Sequence, residues 1–308
     1  MNTVEMLFGK FLNFVEQTYW VNIDLLAISF LISCSIALVV MLIELYYVGL
    51  KGSSLQRVIF DRSGSTSTDI FYFIIHASGL ITLFAVLFSF GIPQAISTLV
   101  KSFVSFDLGF EMNIYYHLIV FLLLADFMNY WQHRLMHMIP MLWQIHRFHH
   151  SAEEFNVLTV FREHPLDKAF NSIFMIIPGV LLGNPVGEFA VFITIYGMVG
   201  YVQHSRIPWQ GKIGTYIIQS PRDHWIHHSK LEKHHDTNFG STFAFWDHIF
   251  GTYSDGGEET PVLGLYDTKY NQINAVRATF VVQYSFLVVF LDTFKLNLKR
   301  LMEGFRHW

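Results

Sequence analysis

The sequence predicts an all-α integral membrane protein, with about four to five transmembrane or re-entrant helices and a helical cap on one face. Three observations predict it. More than half of the 308 residues are hydrophobic and only 14% are charged, whereas a soluble globular chain carries about 25% charged residues, so most of this surface faces something other than water. Several apolar runs approach or exceed the roughly 20 residues that carry a helix across a bilayer. The histidines, 16 in all, crowd between His76 and His248 and cluster where those runs end.

Leu25 to Leu50 is a nearly continuous apolar run, interrupted by Glu44, and reads as the first span. It is too long and too far from Met1 to be a cleaved signal peptide. Ile70 to Ile92 reads as a second span stopped by Pro93, and Ile114 to Trp131 as a third that runs straight into the first histidine pair. Ala169 to Leu182 and Phe189 to Val202, joined by Gly-Asn-Pro, read as a helical hairpin. Each arm is marginal for a crossing, so two tilted spans or one re-entrant hairpin both satisfy the pattern. Phe280 to Leu291 is shorter, flanked by Arg277 and Asp292, and reads as an interfacial helix.

Cations order these elements relative to the membrane. Lys51, Arg57 and Arg62 follow the first span, while the next loop pairs Lys101 with Asp107 and Glu111. The positive-inside bias then places the N-terminus outside and residues 51 to 69 in the cytoplasm. Arg134, Arg147, Arg162 and Lys168 follow the third span, and Arg206, Lys212, Arg222, Lys230 and Lys233 follow Val202, again on that side. Every histidine cluster falls there too, although no histidine entered the assignment. The expected location is a bacterial inner membrane or the endoplasmic reticulum, with the histidines at the cytoplasmic face.

The formal net charge of −4 and the lack of a Lys/Arg stripe exclude a nucleic-acid partner, whose phosphates demand clustered cations. A single cysteine, Cys34, excludes an internal disulfide framework and thiolate-rich metal sites. Imidazole is the remaining ligand type in quantity. His133 and His137 stand four apart in HRLMH, on one helical face a turn apart, where both reach one cation. His146, His149 and His150 in HRFHH, and His224, His227 and His228 in HWIHH, follow a 0, 3, 4 spacing. Adjacent residues on a helix diverge by about 100°, so each triple can serve two ions. His164 and His204 flank the apolar hairpin and complete ten candidates. His235, in KHHDTN, is a possible extra ligand; His76, His117, His248 and His307 read as ordinary core or surface histidines.

Asp126 lies inside the third span, where an ionisable group is costly. It precedes His133 and His137 on the same face, so its carboxylate is expected to accept the outer N–H of a ligating imidazole. Asn129 shares the stripe.

In order, ADFMNYWQHRLMH, LWQIHRFHHS, FREHPLD, QHS, PRDHWIHHS, DTNFG and WDHIFGTY fill the chain from about Phe121 to Tyr253. That series resembles the fatty acid hydroxylase and sterol desaturase superfamily of membrane di-iron enzymes. The resemblance implies two Fe bound by the same ten histidines. It implies O2-dependent hydroxylation of a fatty acyl, alkyl or sterol C–H bond, or desaturation on the same centre. Electrons would come from NAD(P)H through a separate redox protein, and zinc can replace iron in preparations. One position departs: the family's last motif usually carries arginine where His248 stands, read here as a surface difference. The chain then divides into a transmembrane region at 1–110, a catalytic region at 111–253, and a loop with an interfacial helix at 254–308.

Three rival classes fit less well. A membrane zinc hydrolase would want a glutamate base within HExxH, which the chain lacks. A haem protein needs axial histidines deep within spans. A histidine-rich metal-binding or transport protein remains a remote alternative, because transporters set their ligands near the bilayer midplane and these clusters sit at span ends.

Overall fold

The structure is a computed structural model that describes residues 23–103, 112–183, 186–209 and 211–305. Expectations that rest on Met1, Asp107, Glu111, the Asn184-Pro185 turn and His307 lie outside the described residues.

Helix α1 (Ile23–Val48) realises the first span. Leu31, Ile32, Leu38 and Val39 are exposed while Ala37, Val40 and Met41 are buried, so one side packs on protein and the other offers an apolar face to lipid. Glu44 is fully buried: its carboxylate accepts from the backbone N–H of Ser54 at 2.6 Å and of Arg206 at 2.7 Å. The charge in this span thus ties two later segments to its end. After the short α2 (Ser54–Ile59), the second expected span proves broken. Helices α3 (Gly64–Ala77) and α4 (Leu80–Phe88) meet at 94°. Gly79 sits between them at φ 77°, a left-handed conformation that suits a residue without Cβ. An unbroken apolar run hides such a bend, because hydropathy is indifferent to direction. Pro93, expected as a stop, lies in the first turn of α5 (Ile92–Phe103), where a missing N–H breaks no helical bond.

Helix α6 (Ile114–Met138) is the third span and carries the first histidine pair in its last turns. Asn113 caps it by accepting from the N–H of Tyr115 at 3.0 Å. The short α7 (Pro140–His146) follows. The expected hairpin is α8 (Pro165–Phe174) and α9 (Ile176–Leu181), then α10 (Val186–Gln203). Its first arm breaks at Met175, since Pro178 has no N–H to donate to Phe174. The cap contains the short α11 (Lys212–Tyr216), α12 (Pro221–His227) and α13 (Phe245–Phe250).

The last helix, α14 (Ala275–Phe305), runs for 31 residues. The apolar stretch from Phe280 to Leu291 is its middle rather than its whole. Arg277 and Asp292, read as flanks, are exposed residues on the helix itself. Among the described residues, Phe30–Val48, Ile114–Met138 and Ala275–Leu298 are long and apolar enough to cross a membrane, and the bent α3–α4 pair makes a fourth if counted as one span.

The ends of these helices converge through buried polar contacts. Arg162 and Asp69 are both fully buried and pair at 2.6 Å. Arg162 also donates to Ser65, Ser151 and Asn271, joining the start of α3 to the histidine turn and the loop before α14. Removing one partner strands the other charge, which typically costs about 3–5 kcal/mol. Asp69→Ala is therefore expected to lower the thermal unfolding midpoint sharply; an unchanged midpoint would show that the network holds nothing together.

Candidate metal centre

Nine of the ten expected histidines meet in two adjoining groups. His133, His137, His146, His150 and His227 form one, and His149, His204, His224 and His228 the other; within each, one ring nitrogen per residue lies within 4.8 Å of the rest. The two triples divide between the groups as their spacing predicts. His146 ends α7, while His149 and His150 occupy a 3-10 turn. His224 and His227 belong to α12, and His228 caps it. The groups touch through His150 and His228, whose rings stack at 4.2 Å.

The protein fixes which nitrogen points inward. A carbonyl can only accept, so a ring Nδ1 facing one carries the proton and leaves Nε2 with its lone pair. The Nδ1 of His133 faces the carbonyl of Phe239 at 2.9 Å, that of His227 faces Thr237 at 2.7 Å, that of His204 faces Gly200 at 2.8 Å, and that of His149 faces Arg162 at 3.3 Å. His146 Nδ1 donates instead to Asp167 Oδ2 at 2.9 Å, and Gln132 holds the other carboxylate oxygen at 3.2 Å.

A metal ion fits this donor set. The Nε2 atoms of His133, His146 and His227, with both ring nitrogens of His228, are buried without a hydrogen-bond partner, a cost of about 1–3 kcal/mol each unless something binds them. Two Nε2 pairs, His137 with His150 and His204 with His224, stand 3.1 Å apart. Two nitrogens each about 2.1 Å from one cation take up much the same separation. Burial first, then the neighbouring imidazoles, hold His149, His150, His224, His227 and His228 well below the usual histidine range, so they are neutral and ligand-competent at neutral pH.

His164 is not brought to either group. Its Nδ1 accepts from the N–H of Leu166 at 3.1 Å, capping α8, and its Nε2 faces the Thr279 carbonyl at 3.1 Å. Both nitrogens are engaged, and the His-Pro pair reads locally as a helix start: an N-cap followed by proline at the first position. His235 lies outside the groups, its Nε2 3.3 Å from the Lys230 carbonyl.

The carboxylates differ from expectation. Asp126 touches no histidine; it accepts from the N–H groups of Thr242 and Phe243 and from the Trp246 indole, at 3.0–3.2 Å. Asn129 accepts from Asn171 at 2.7 Å. The buried carboxylate that orients an imidazole is Asp167, the last residue of FREHPLD; Asp236, an exposed acid, also faces one, its Oδ1 3.3 Å from His137 Nδ1. Nothing in one sequence separates it from a capping acid, because it sits in the first turn of α8, where acids are favoured.

DTNFG and WDHIFGTY gain a role the spacing did not reveal. Thr237 and Phe239 supply the carbonyls on His227 and His133, and the buried Asp247 holds that loop by accepting from the N–H groups of Phe239 and Gly240, both at 2.7 Å. Gly240 must lack a side chain: a Cβ there would stand 2.7 Å from the Phe243 carbonyl and 2.9 Å from Asp247. His248 is no free surface residue, since it bonds the Thr215 carbonyl at 2.8 Å and stacks on Tyr253.

Two cavities flank the groups. One of about 320 Å³ lies against His137, His150, His227 and His228, beside Lys230, His235 and Asp236. Opposite, a small space of about 60 Å³ against His133, His146, His149, His204 and His224 shares Gln132, Glu163, Asp167 and Tyr196 with a larger cavity of about 370 Å³. The larger cavity runs to the α3–α4 bend, α8 and α10.

Comparison with known proteins agrees with this architecture. An ornithine lipid hydroxylase of Rhizobium tropici is 29% identical over 195 residues, covering 62% of this chain and 58% of that protein. Alkylglycerol monooxygenases of Caenorhabditis elegans and Homo sapiens are 28% and 29% identical, over 54% and 46% of this chain and 33% and 31% of theirs. The chain thus spans between 31% and 58% of the length of these relatives. No solved structure matches it. The family model for fatty acid hydroxylase matches residues 118–252, a stretch that contains every histidine of both groups, so the part of the chain that carries the centre is similar to that family.

Proposed function

We propose that the nine clustered histidines hold two iron ions and that the centre uses O2 to hydroxylate a lipid C–H bond. The observation that supports it most is the inward set of unpartnered imidazole nitrogens, buried in two touching groups beside a cavity lined from α4, α8 and α10. Bound iron would supply the redox chemistry: O2, two electrons and two protons insert one oxygen atom into the C–H bond and release the other as water. The relatives named as ornithine lipid hydroxylase and alkylglycerol monooxygenase favour hydroxylation over desaturation.

The chain's own residues bind, orient and shield. Asp167 and the four carbonyls hold the imidazole rings in their ligating tautomer, as outer partners do at metal sites generally. The larger cavity admits a lipid from the bilayer side, and Phe155, packed against His204 and His228, excludes water. The cavity beside Lys230, His235 and Asp236 is where a separate redox protein, fed by NAD(P)H, delivers electrons. The positive-inside pattern supports a cytoplasmic position for that face.

Purified protein reconstituted with ferrous iron is expected to hold about two metal ions per chain, and lipids from cells that express it to gain the mass of one oxygen. Zinc competes for imidazole, so reconstitution precedes metal analysis. A folded sample with one ion or with haem sinks the dinuclear reading; a loss of two hydrogens from the lipid identifies a desaturase.

A further inference from the structure

Resting on the hydroxylase reading, the larger cavity says which part of a lipid meets the centre. Three of its lining side chains are polar groups that the fold leaves underused. The Nε2 of His76 is buried without a hydrogen-bond partner, and its nearest acid, Glu163, is 3.9 Å away, too far for a hydrogen bond. Glu163 belongs both to this cavity and to the small space against the histidines. Lys168, one helix position past Asp167, lines the same wall and forms no ion pair within 4 Å among the described residues. The apolar lining, Ile81, Met175, Phe192 and Ile193, belongs to the α3–α4 bend and the hairpin.

An alkyl chain threaded past that wall would leave three polar groups desolvated and unpaired, at about 1–3 kcal/mol each. A substrate that carries a hydroxyl, ether or amide there pairs with them, and sites built to hydrogen-bond such a group strongly reject analogues without it. We infer that Glu163, His76 and Lys168 form a specificity site for a polar group of the lipid, so that the carbon hydroxylated lies beside its polar head and not in mid-chain.

The test uses the full chain expressed in a host lacking it, with the oxygenated lipids fragmented by tandem mass spectrometry. The added oxygen is expected in head or glycerol-proximal fragments; oxygen in the distal acyl chain overturns the inference and leaves the hydroxylase reading intact. A chain that loads metal yet oxygenates no lipid overturns the hydroxylase reading and the inference with it. Specificity is read independently of turnover by equilibrium binding of 1-O-hexadecylglycerol and of hexadecane to nanodiscs holding the metal-loaded chain. Lys168→Met and Glu163→Gln are each expected to cut the preference for the glycerol ether at least about tenfold while metal content stays at the wild-type value. Unchanged preference in both variants overturns the assignment. Should one variant fail to load metal, the other decides.

Discussion

Replacing His149 or His227 with alanine is expected to abolish lipid turnover, at least a thousandfold below wild type, and to cost the chain bound metal. The two sit in different groups, so the pair of variants tests both halves of the centre. Each loses a neutral nitrogen oriented by a carbonyl, Arg162 for His149 and Thr237 for His227, and alanine offers no ligand in its place. Because the groups touch through His150 and His228, damage to one half spreads to the other. His164→Asn is the contrasting variant. Asparagine caps a helix about as well as any residue, so it replaces the bond to Leu166 and is expected to keep both metal ions. If it loses metal as His227→Ala does, the ligand set includes His164 and its engagement by Leu166 and Thr279 is not the working arrangement. Near-normal turnover in His149→Ala or His227→Ala would remove that residue from the centre.

Spacing made the histidine groups legible because a helix turns local sequence into geometry. HRLMH, HRFHH and HWIHH each fix relative directions within one turn, and the division of each triple between the groups follows. His164 was not legible in that way. Its neighbours in sequence, a proline and an acid, mark a helix start as well as a metal box, and only the position of Thr279, 115 residues on, shows that its second nitrogen is engaged. The same limit hid the α3–α4 bend, where the apolar run continues across Gly79, and the full length of α14, where Arg277 and Asp292 mark changes of composition but no end of the helix. The partners of Asp126 are set by contacts more than 100 residues away, with Thr242, Phe243 and Trp246, which no local pattern encodes.

Asp167 and Asp126 therefore exchange roles relative to the sequence expectation, and the isosteric amide separates them. Asp167→Asn keeps the volume but removes the charge that faces His146 Nδ1 at 2.9 Å and Gln132 at 3.2 Å. An amide that turns its NH2 toward His146 sets two donors against each other, and one that turns its oxygen there loses Gln132. Metal affinity and turnover are expected to fall about 10- to 100-fold, the usual penalty for losing the outer partner of a ligating imidazole, a loss larger than any change in the metal-free thermal midpoint accounts for. Asp126→Asn acts on the scaffold instead. Its carboxylate accepts three bonds from Thr242, Phe243 and Trp246, and an amide, with one accepting oxygen, leaves at least one buried donor unpaired at about 1–3 kcal/mol. The metal-free midpoint is expected to drop, with metal loss only as the loop that carries the Phe239 carbonyl loosens. Measuring metal dissociation and the metal-free midpoint in both variants decides the assignment: a midpoint loss confined to Asp167→Asn, with a metal-affinity loss confined to Asp126→Asn, restores Asp126 as the partner of the histidines.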